Sequence, residues 1–253
     1  MKTILNRLVK HERLSYDEAR STLTGIGTGK YNSSQIASFL TTYMLRPVTV
    51  EEFSGFRDAL FDLCVKVDLS EFETIDMCGT GGDGKNTFNI STLASFVVAG
   101  AGVKVAKHGN YAISSASGSS NMLEYFGYKF SNDEDTLKKQ LDKAGICFLH
   151  APLFHPAMKN VGPIRKELGV KTFFNMLGPL VNPSSPQYQM TGVFNLEAAR
   201  LYHYIFQQTA KKYAVIFSMD GYDEVSLTSR FKMITNSGEY IFEPESLNFS
   251  KLQ

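Results

Sequence analysis

The sequence predicts a small all-helical N-terminal domain, residues 1–70, and a larger α/β domain, residues 71–253, built on a largely parallel central sheet. Three observations carry this. Up to residue 70, apolar residues recur at helical spacing behind capping signals. From Phe72 onward, short strand-like runs alternate with helical patterns, the texture of a parallel sheet with crossover helices. The composition is that of a folded chain, with 43% hydrophobic and 20% charged residues over 253 positions. A chain of that length buries about 70 to 75% of its unfolded surface.

In the first region, Ser15 and Glu18 form a capping-box pattern ahead of Ala19, Leu23 and Ile26. Asn32 or Ser33 caps the next helix, where Ile36, Phe39, Leu40, Tyr43 and Met44 share one face. Pro47 stops it. Thr49 and Glu52 then form a second capping box before Phe53, Phe56, Leu60 and Leu63. Beyond residue 70 the expected strands are Thr74 to Met77, Val103 to Ala106, Ile146 to Leu149 and Ala214 to Phe217. The expected helices lie near Thr92 to Ala101, Ser119 to Phe126, Thr136 to Ala144, Ala157 to Leu168 and Leu196 to Ala210. Phe231 to Phe242 reads as a hairpin turning at Asn236-Ser237-Gly238.

Charge and cysteine usage narrow the function classes. Lys plus Arg is 26 and Asp plus Glu is 25, a net charge of +1. Bulk electrostatic binding of nucleic acid is therefore excluded, and any anion site must be local. Cys64, Cys78 and Cys147 form no C-x-x-C pair and are odd in number, which argues for reduced thiols in a cytoplasmic protein. The N-terminus turns polar too soon for a signal peptide. The run Phe96 to Val103 is too short to span a bilayer.

The chemistry concentrates in loops after strands. Asp76-Met77-Cys78-Gly79-Thr80-Gly81-Gly82-Asp83-Gly84-Lys85-Asn86 follows the first expected strand. Four glycines in six residues let the backbone take positive φ and aim successive N–H groups at phosphate oxygens. Gly79, Gly81 and Gly84 satisfy G-x-G-x-x-G. The next strand, however, ends in Lys107-His108 rather than in the acidic residue a dinucleotide ribose requires, which argues against hydride transfer. Gly79 to Asn86 also approaches a Walker A loop, but Asn86 replaces the hydroxyl that would bind magnesium. Asn89-Ile90-Ser91-Thr92 suits the start of a helix, and a helix N-terminus beside a glycine loop favours anions.

Three further groups follow. Lys107-His108-Gly109-Asn110 leads into a segment holding Ser114, Ser115, Ser117, Ser119 and Ser120. Hydroxyls and a lysine at a strand's carboxyl end make a phosphate cradle. Arg165 is a candidate bidentate carboxylate or phosphate binder, with a surface ion pair as the plainer reading. Asp220-Gly221-Tyr222-Asp223-Glu224 follows a strand, and adjacent carboxylates there suit magnesium shared with substrate phosphates. An acidic turn is the plainer reading.

Taken in order, these motifs resemble the anthranilate phosphoribosyltransferase family. The resemblance rests on Gly79-Thr80-Gly81-Gly82-Asp83-Gly84, Asn89 to Thr92, Lys107 to Asn110, Ser117-Gly118-Ser119, His155-Pro156-Ala157-Met158-Lys159, Phe174 to Pro183 and Asp220 to Glu224. It implies transfer of a 5-phosphoribosyl group from phosphoribosyl pyrophosphate to the amine of anthranilate, in tryptophan biosynthesis, with Mg2+. It also implies a homodimer formed through the helical domain.

By position, the resemblance gives a phosphoribosyl pyrophosphate site of Gly79, Gly82, Asp83, Thr87, Asn89, Ile90, Ser91, Thr92, Lys107, His108, Gly109, Asn110, Tyr111, Ala112, Ile113, Ser114, Ser115 and Ser119. Gly79, Asn110 and Arg165 are the implied anthranilate contacts. Ser91, Asp223 and Glu224 are the implied metal ligands. No residue is assigned as a general acid, base or nucleophile, so catalysis would rest on positioning and electrostatics.

The family usually carries Arg where this chain has Tyr111. Ala116 and Asn121 stand at a commonly basic and a commonly acidic position. Family members continue past residue 253, so the resemblance implies an α/β domain shortened at its C-terminus and less stable than that of a longer relative. The alternatives are a pyrimidine nucleoside phosphorylase, which shares the fold and a Lys-His-Gly-Asn loop, and a relative that binds phosphoribosyl pyrophosphate or nucleic acid without turnover.

Overall fold

The computed structural model describes residues 1–85, 87–112 and 117–252. The chain opens with α1 (Lys2–Leu8), α2 (Tyr16–Gly27), α3 (Ser33–Thr42) and α4 (Val50–Asp62). Next come β1 (Thr74–Gly79), α5 (Ile90–Gly100), β2 (Lys104–Gly109), α6 (Ser119–Tyr125), α7 (Glu134–Ala144) and β3 (Ile146–His150). It closes with α8 (Ala151–Phe154), α9 (Gly162–Leu168), β4 (Tyr188–Gly192), α10 (Leu196–Gln207), β5 (Lys212–Ser218) and a hairpin of β6 (Phe231–Thr235) and β7 (Gly238–Phe242).

These elements form two compact units. The helical unit contains Met1–Lys66 and also Pro152–Pro183; the α/β unit contains Val67–Ala151 and everything from Ser184. The structure thus departs from a single division at residue 70, because the segment 152–183 folds with the helices. Aromatic packing accounts for this. Phe173 stacks on Phe56 at 4.6 Å between ring centroids and meets Tyr43 edge-on at 5.3 Å. Phe154, Val161 and Ile164 are buried beside them in the same unit. The helix expected over Ala157 to Leu168 is broken into a 3-10 turn, Pro156–Asn160, and α9, with Gly162-Pro163 at the break.

The helix starts in this unit follow local chemistry. Ser15, Asn32 and Thr49 are N-caps, each closing a capping box with Glu18, Gln35 and Glu52 respectively. Glu52 does more than cap. Its carboxylate is fully buried and accepts from the backbone N–H of Leu14 at 2.9 Å and of Thr49 at 3.0 Å. It also accepts from the Tyr43 hydroxyl at 3.0 Å and from the Arg46 guanidinium. One side chain thereby joins the approach to α2, the end of α3 and the start of α4.

The α/β unit carries a seven-stranded sheet in the order β3-β2-β1-β4-β5-β6-β7. The first five strands are parallel, and the hairpin adds two antiparallel strands at one edge. α5 and α7 pack on the sheet near β1 to β3, and α10 packs on β5 through buried Tyr202, Ile205 and Phe206.

β4 was not expected from the sequence. Its buried positions are Gln189 and Thr191, so the inward face reads as polar and the usual apolar alternation is missing. On the far side of the adjacent β1, that strand and β2 pair only at Thr74↔Lys104 and Ile75↔Val105, although both strands run on to a terminal glycine. The sheet therefore parts towards the carboxyl ends of these two strands. Among the described residues, no helix is long and apolar enough to cross a membrane.

Candidate active site

β1 lies between β2 and β4, so the chain winds one way through β2 and β3 and the other way through β4 and β5. That reversal is a topological switch point, where open parallel sheets bind ligands outside the carboxyl ends of the strands. Here β1 ends in the glycine loop. Gly81, Gly82 and Gly84 have φ of +63°, +85° and +75°, values that favour glycine.

The turn after β5 comes directly against this loop. Asp223 Oδ2 accepts from Gly81 N–H at 2.7 Å. A Cβ on Gly79 would lie 2.6 Å from Asp223 Oδ2, and one on Gly192 would lie 1.6 Å from the Asp223 carbonyl oxygen. Gly79 and Gly192 are register partners. The two strand ends are thus bare of side chains so that Asp223 can sit over them. The Lys85 ammonium lies 4.5 Å from the centre of the Tyr222 ring, a second tie between loop and turn.

The electrostatics of this spot are those of a site short of positive charge. Burial pushes the Asp223 carboxyl up to about 6, with repulsion from Asp83 adding to it. Burial and the neighbouring Asp223 push Glu224 up to about 7, partly offset by Lys107 and by a backbone hydrogen bond from Ser91. Asp83 Oδ2 is buried without a hydrogen-bond partner. Three crowded carboxyl groups with an orphaned oxygen fit a divalent cation. Among the described residues no three acidic, His or Cys side chains form a ready cage. Mg2+ usually takes one or two carboxylates and completes its shell with water and substrate phosphate.

The second loop flanks the same strand ends. Asn89 occupies the N-cap position of α5, makes no capping bond, and donates instead to the Gly118 carbonyl at 3.5 Å. Ile90, Ser91 and Thr92 form the first turn of α5, behind Thr87. Asn110 lies just past β2, and its carbonyl accepts from Ser120 N–H at 3.1 Å and from the Ser119 hydroxyl at 3.3 Å. Tyr111 is partly exposed and meets the His150 ring edge-on at 4.9 Å. Ile113, Ser114 and Ser115, together with Asn86 and Ala116, lie outside the described residues.

Lys107, implied above as a donor-site residue, turns its ammonium inward. It is buried, donates to the Met77 carbonyl, and is pulled down in pKa by burial. It supports β1 and the acidic turn from below. Arg165 belongs to the helical unit. There it donates to Asn175 Oδ1 at 3.1 Å, and its guanidinium lies 5.3 Å from the centre of the Phe174 ring, so no surface ion pair claims it.

Sequence reasoning missed Asp76. It is fully buried in β1 and accepts from His108 N–H at 3.1 Å and from the Gln189 amide at 3.4 Å. Its carboxylate bridges β1 to β2 where their backbone ladder has stopped. An aspartate inside an expected strand was the available signal, since strands are depleted in it.

Comparison with known proteins accords with this geometry. Residues 2–64 match the helical bundle domain of a glycosyl transferase family, and residues 71–251 match that family's a/b domain. An anthranilate phosphoribosyltransferase of Flavobacterium johnsoniae is 63% identical over 252 residues, covering 100% of this chain and 76% of the relative. The chain belongs to the anthranilate phosphoribosyltransferase family. Members of this family are glycosyltransferases of tryptophan biosynthesis.

A Bacteroides fragilis anthranilate phosphoribosyltransferase is 57% identical over 251 residues, covering 99% of this chain and 76% of its own length. The crystal structure of the Thermus thermophilus anthranilate phosphoribosyltransferase superposes with a TM-score of 0.89 at 32% identity, covering 98% of this chain and 75% of that one. The Saccharomyces cerevisiae enzyme, in complex with phosphoribosyl pyrophosphate and Mg, superposes with a TM-score of 0.90 at 29% identity over 98% of this chain and 74% of that one. Within the family, this chain spans about three quarters of the relatives' length.

Proposed function

We propose that the chain transfers the 5-phosphoribosyl group of phosphoribosyl pyrophosphate to the amine of anthranilate, giving N-(5-phosphoribosyl)anthranilate and pyrophosphate. The observation that carries this reading is the meeting, at the switch point of the sheet, of the positive-φ glycine loop with the buried Asp223-Glu224 turn. Loop N–H groups and the first turn of α5 suit the anionic groups of the donor. Asp223 and Glu224, with Ser91, would hold Mg2+. The metal supplies charge neutralisation for the leaving pyrophosphate.

The remaining chemistry falls to positioning. The C1–O bond to pyrophosphate breaks, its electron pair leaves with pyrophosphate, and the amine lone pair forms the new C1–N bond. The amine proton passes to water. An aryl amine is neutral at pH 7, so no strong general base is needed. Asn110 and Gly79 act at the acceptor. Arg165, held by Asn175 and Phe174, supplies a bidentate partner for the anthranilate carboxylate. Gly79, Gly82, Asp83, Thr87, Asn89 to Thr92, Lys107 to Ser115 and Ser119 serve the donor.

The helical domain of residues 1–70 serves for dimerisation. α1 and α3 pack together, and exposed Val9, Met44 and Leu45 follow their ends, an apolar surface suited to a second copy. The three free thiols suit the cytoplasm.

The test is loss of anthranilate fluorescence on mixing protein, phosphoribosyl pyrophosphate and Mg2+, with EDTA as control. Magnesium-dependent loss is expected. Absence of loss, together with phosphate-dependent release of thymine from thymidine, would overturn the reading in favour of a nucleoside phosphorylase.

A further inference from the structure

We infer that Asn121 is a positioning residue: its side-chain carbonyl ties Ala112 to Gly118 and so holds the neighbouring Asn110 and Ser119 in place for phosphoribosyl pyrophosphate. This rests on the reading that these two residues bind the donor. Asn121 Oδ1 accepts from Ala112 N–H at 2.9 Å and from Gly118 N–H at 3.0 Å. Both partners are donors, so the orientation of the carboxamide is fixed by the hydrogen bonds themselves. The bond to Gly118, three residues back, is the capping bond that an acceptor side chain at this helix position makes. The bond to Ala112, nine residues back, is not. It joins the outgoing and returning arms of the chain between β2 and α6 through one atom.

The arms lie close for a second, independent reason. A Cβ on Gly118 would lie 2.4 Å from Ala112 N, 2.6 Å from the Asn110 carbonyl oxygen and 2.6 Å from Tyr111 C. The arms therefore pass in direct backbone contact, and only glycine fits. Asn110 O receives Ser120 N–H and the Ser119 hydroxyl just below. Asn89 Nδ2 reaches the Gly118 carbonyl from the start of α5. The clamp thus fixes two donor-site residues, Asn110 and Ser119, relative to a third, Asn89. Residues held in place before binding lose less freedom when the donor arrives. Asn121 is exposed, so water can replace its bonds and a variant will fold.

The experiment compares the intact chain with Asn121→Ala and Asn121→Asp. Ala removes the acceptor, and Asp keeps an oxygen at the same place. For Asn121→Ala the KM for phosphoribosyl pyrophosphate is expected to rise about tenfold, the scale of losing two exposed hydrogen bonds. Its kcat and its KM for anthranilate should stay within about twofold, the pattern of lost uniform binding of one substrate. Asn121→Asp should recover the donor KM to within about threefold of wild type. Hydrogen exchange of the peptides carrying Ala112 and Gly118 should rise in the alanine variant only. An unchanged donor KM in Asn121→Ala, or an aspartate variant as weak as alanine, would overturn the clamp while leaving the substrate reading intact. A wild-type protein that binds no phosphoribosyl pyrophosphate by calorimetry would overturn both.

Discussion

Both units of this protein take carboxyl groups out of water, and Glu52 in the one is held in the opposite way to Asp223 and Glu224 in the other. In the helical unit Glu52 is fully buried, yet it is surrounded by donors: two backbone N–H groups, a tyrosine hydroxyl and a guanidinium. Burial alone would raise its pKa. The Arg46 guanidinium and the N–H groups of Leu14 and Thr49 outweigh burial and hold it below the usual range. In the α/β unit Asp223 is buried and Glu224 half-buried, and they are held only by backbone N–H groups and by the charge of Lys107. They stand pushed up to about 6 and about 7. The first arrangement is complete without a ligand. The second leaves its carboxyl groups short of positive charge, and strongly shifted groups of that kind gather at functional sites, which supports the proposed Mg2+ role.

The contrast should appear first in stability. Glu52→Ala leaves the Arg46 charge and three further donors without their acceptor, and removing one member of a buried pair costs about 3–5 kcal/mol. Urea unfolding of the intact chain should show a loss of that size, with hydrogen exchange rising across α2 to α4. A loss under about 1 kcal/mol would place Glu52 among surface-type ion pairs and dissolve the comparison.

The paired substitution Asp223→Asn with Glu224→Gln should behave in the reverse sense. It relieves repulsion instead of stranding a partner, so the melting midpoint should hold or rise. Turnover at limiting Mg2+ should fall about a hundredfold or more, the scale of losing electrostatic stabilisation of a leaving group. Magnesium should also raise the melting midpoint of the wild-type chain in the presence of phosphoribosyl pyrophosphate and not that of the variant. A variant that melts far below wild type, with turnover intact, would make these carboxylates structural.

The same contrast explains what could be read from the sequence. Capping boxes at Ser15, Asn32 and Thr49 are legible because donor and acceptor are three residues apart. The glycine loop is legible because positive φ leaves a compositional trace. What escaped depends on partners far along the chain. β4 hid because its buried face is Gln189 and Thr191, residues that pay for burial by bonding within the network around Asp76. The segment 152–183 read as α/β, since nothing local announces that Phe173 will stack on Phe56. The residue type of Lys107 suggests a phosphate ligand, and nothing local shows that its ammonium also bonds the Met77 carbonyl, thirty residues back. Asn121 drew notice only as a departure from the family pattern, because its second partner lies nine residues back.

The smallest expected effect is also the most diagnostic, because its sign depends on how Glu52 is held. A carboxyl lowered in the folded state contributes stability that is fully present above its unfolded value, near pH 4.3 for glutamate, and is lost as pH falls through the folded value. Glu52→Gln keeps the shape and removes the charge. The variant should therefore be less stable than wild type at pH 7, and the gap should narrow as the pH drops below about 4. Other lowered carboxyls in the unit titrate equally in both proteins and cancel in the difference. They are Glu18, held by Arg7, and Asp58, where burial is outweighed by Arg57 and Tyr16. Arg46 and Tyr43, the charged and titratable side chains facing Glu52, are both raised and do not titrate in this window. Hydrogen exchange in α2 to α4, followed from pH 7 to pH 3 for the two proteins, measures the gap. A gap of constant size would mean that Glu52 is held by shape alone, and the contrast with Asp223 and Glu224 would then be one of packing, with charge playing no part.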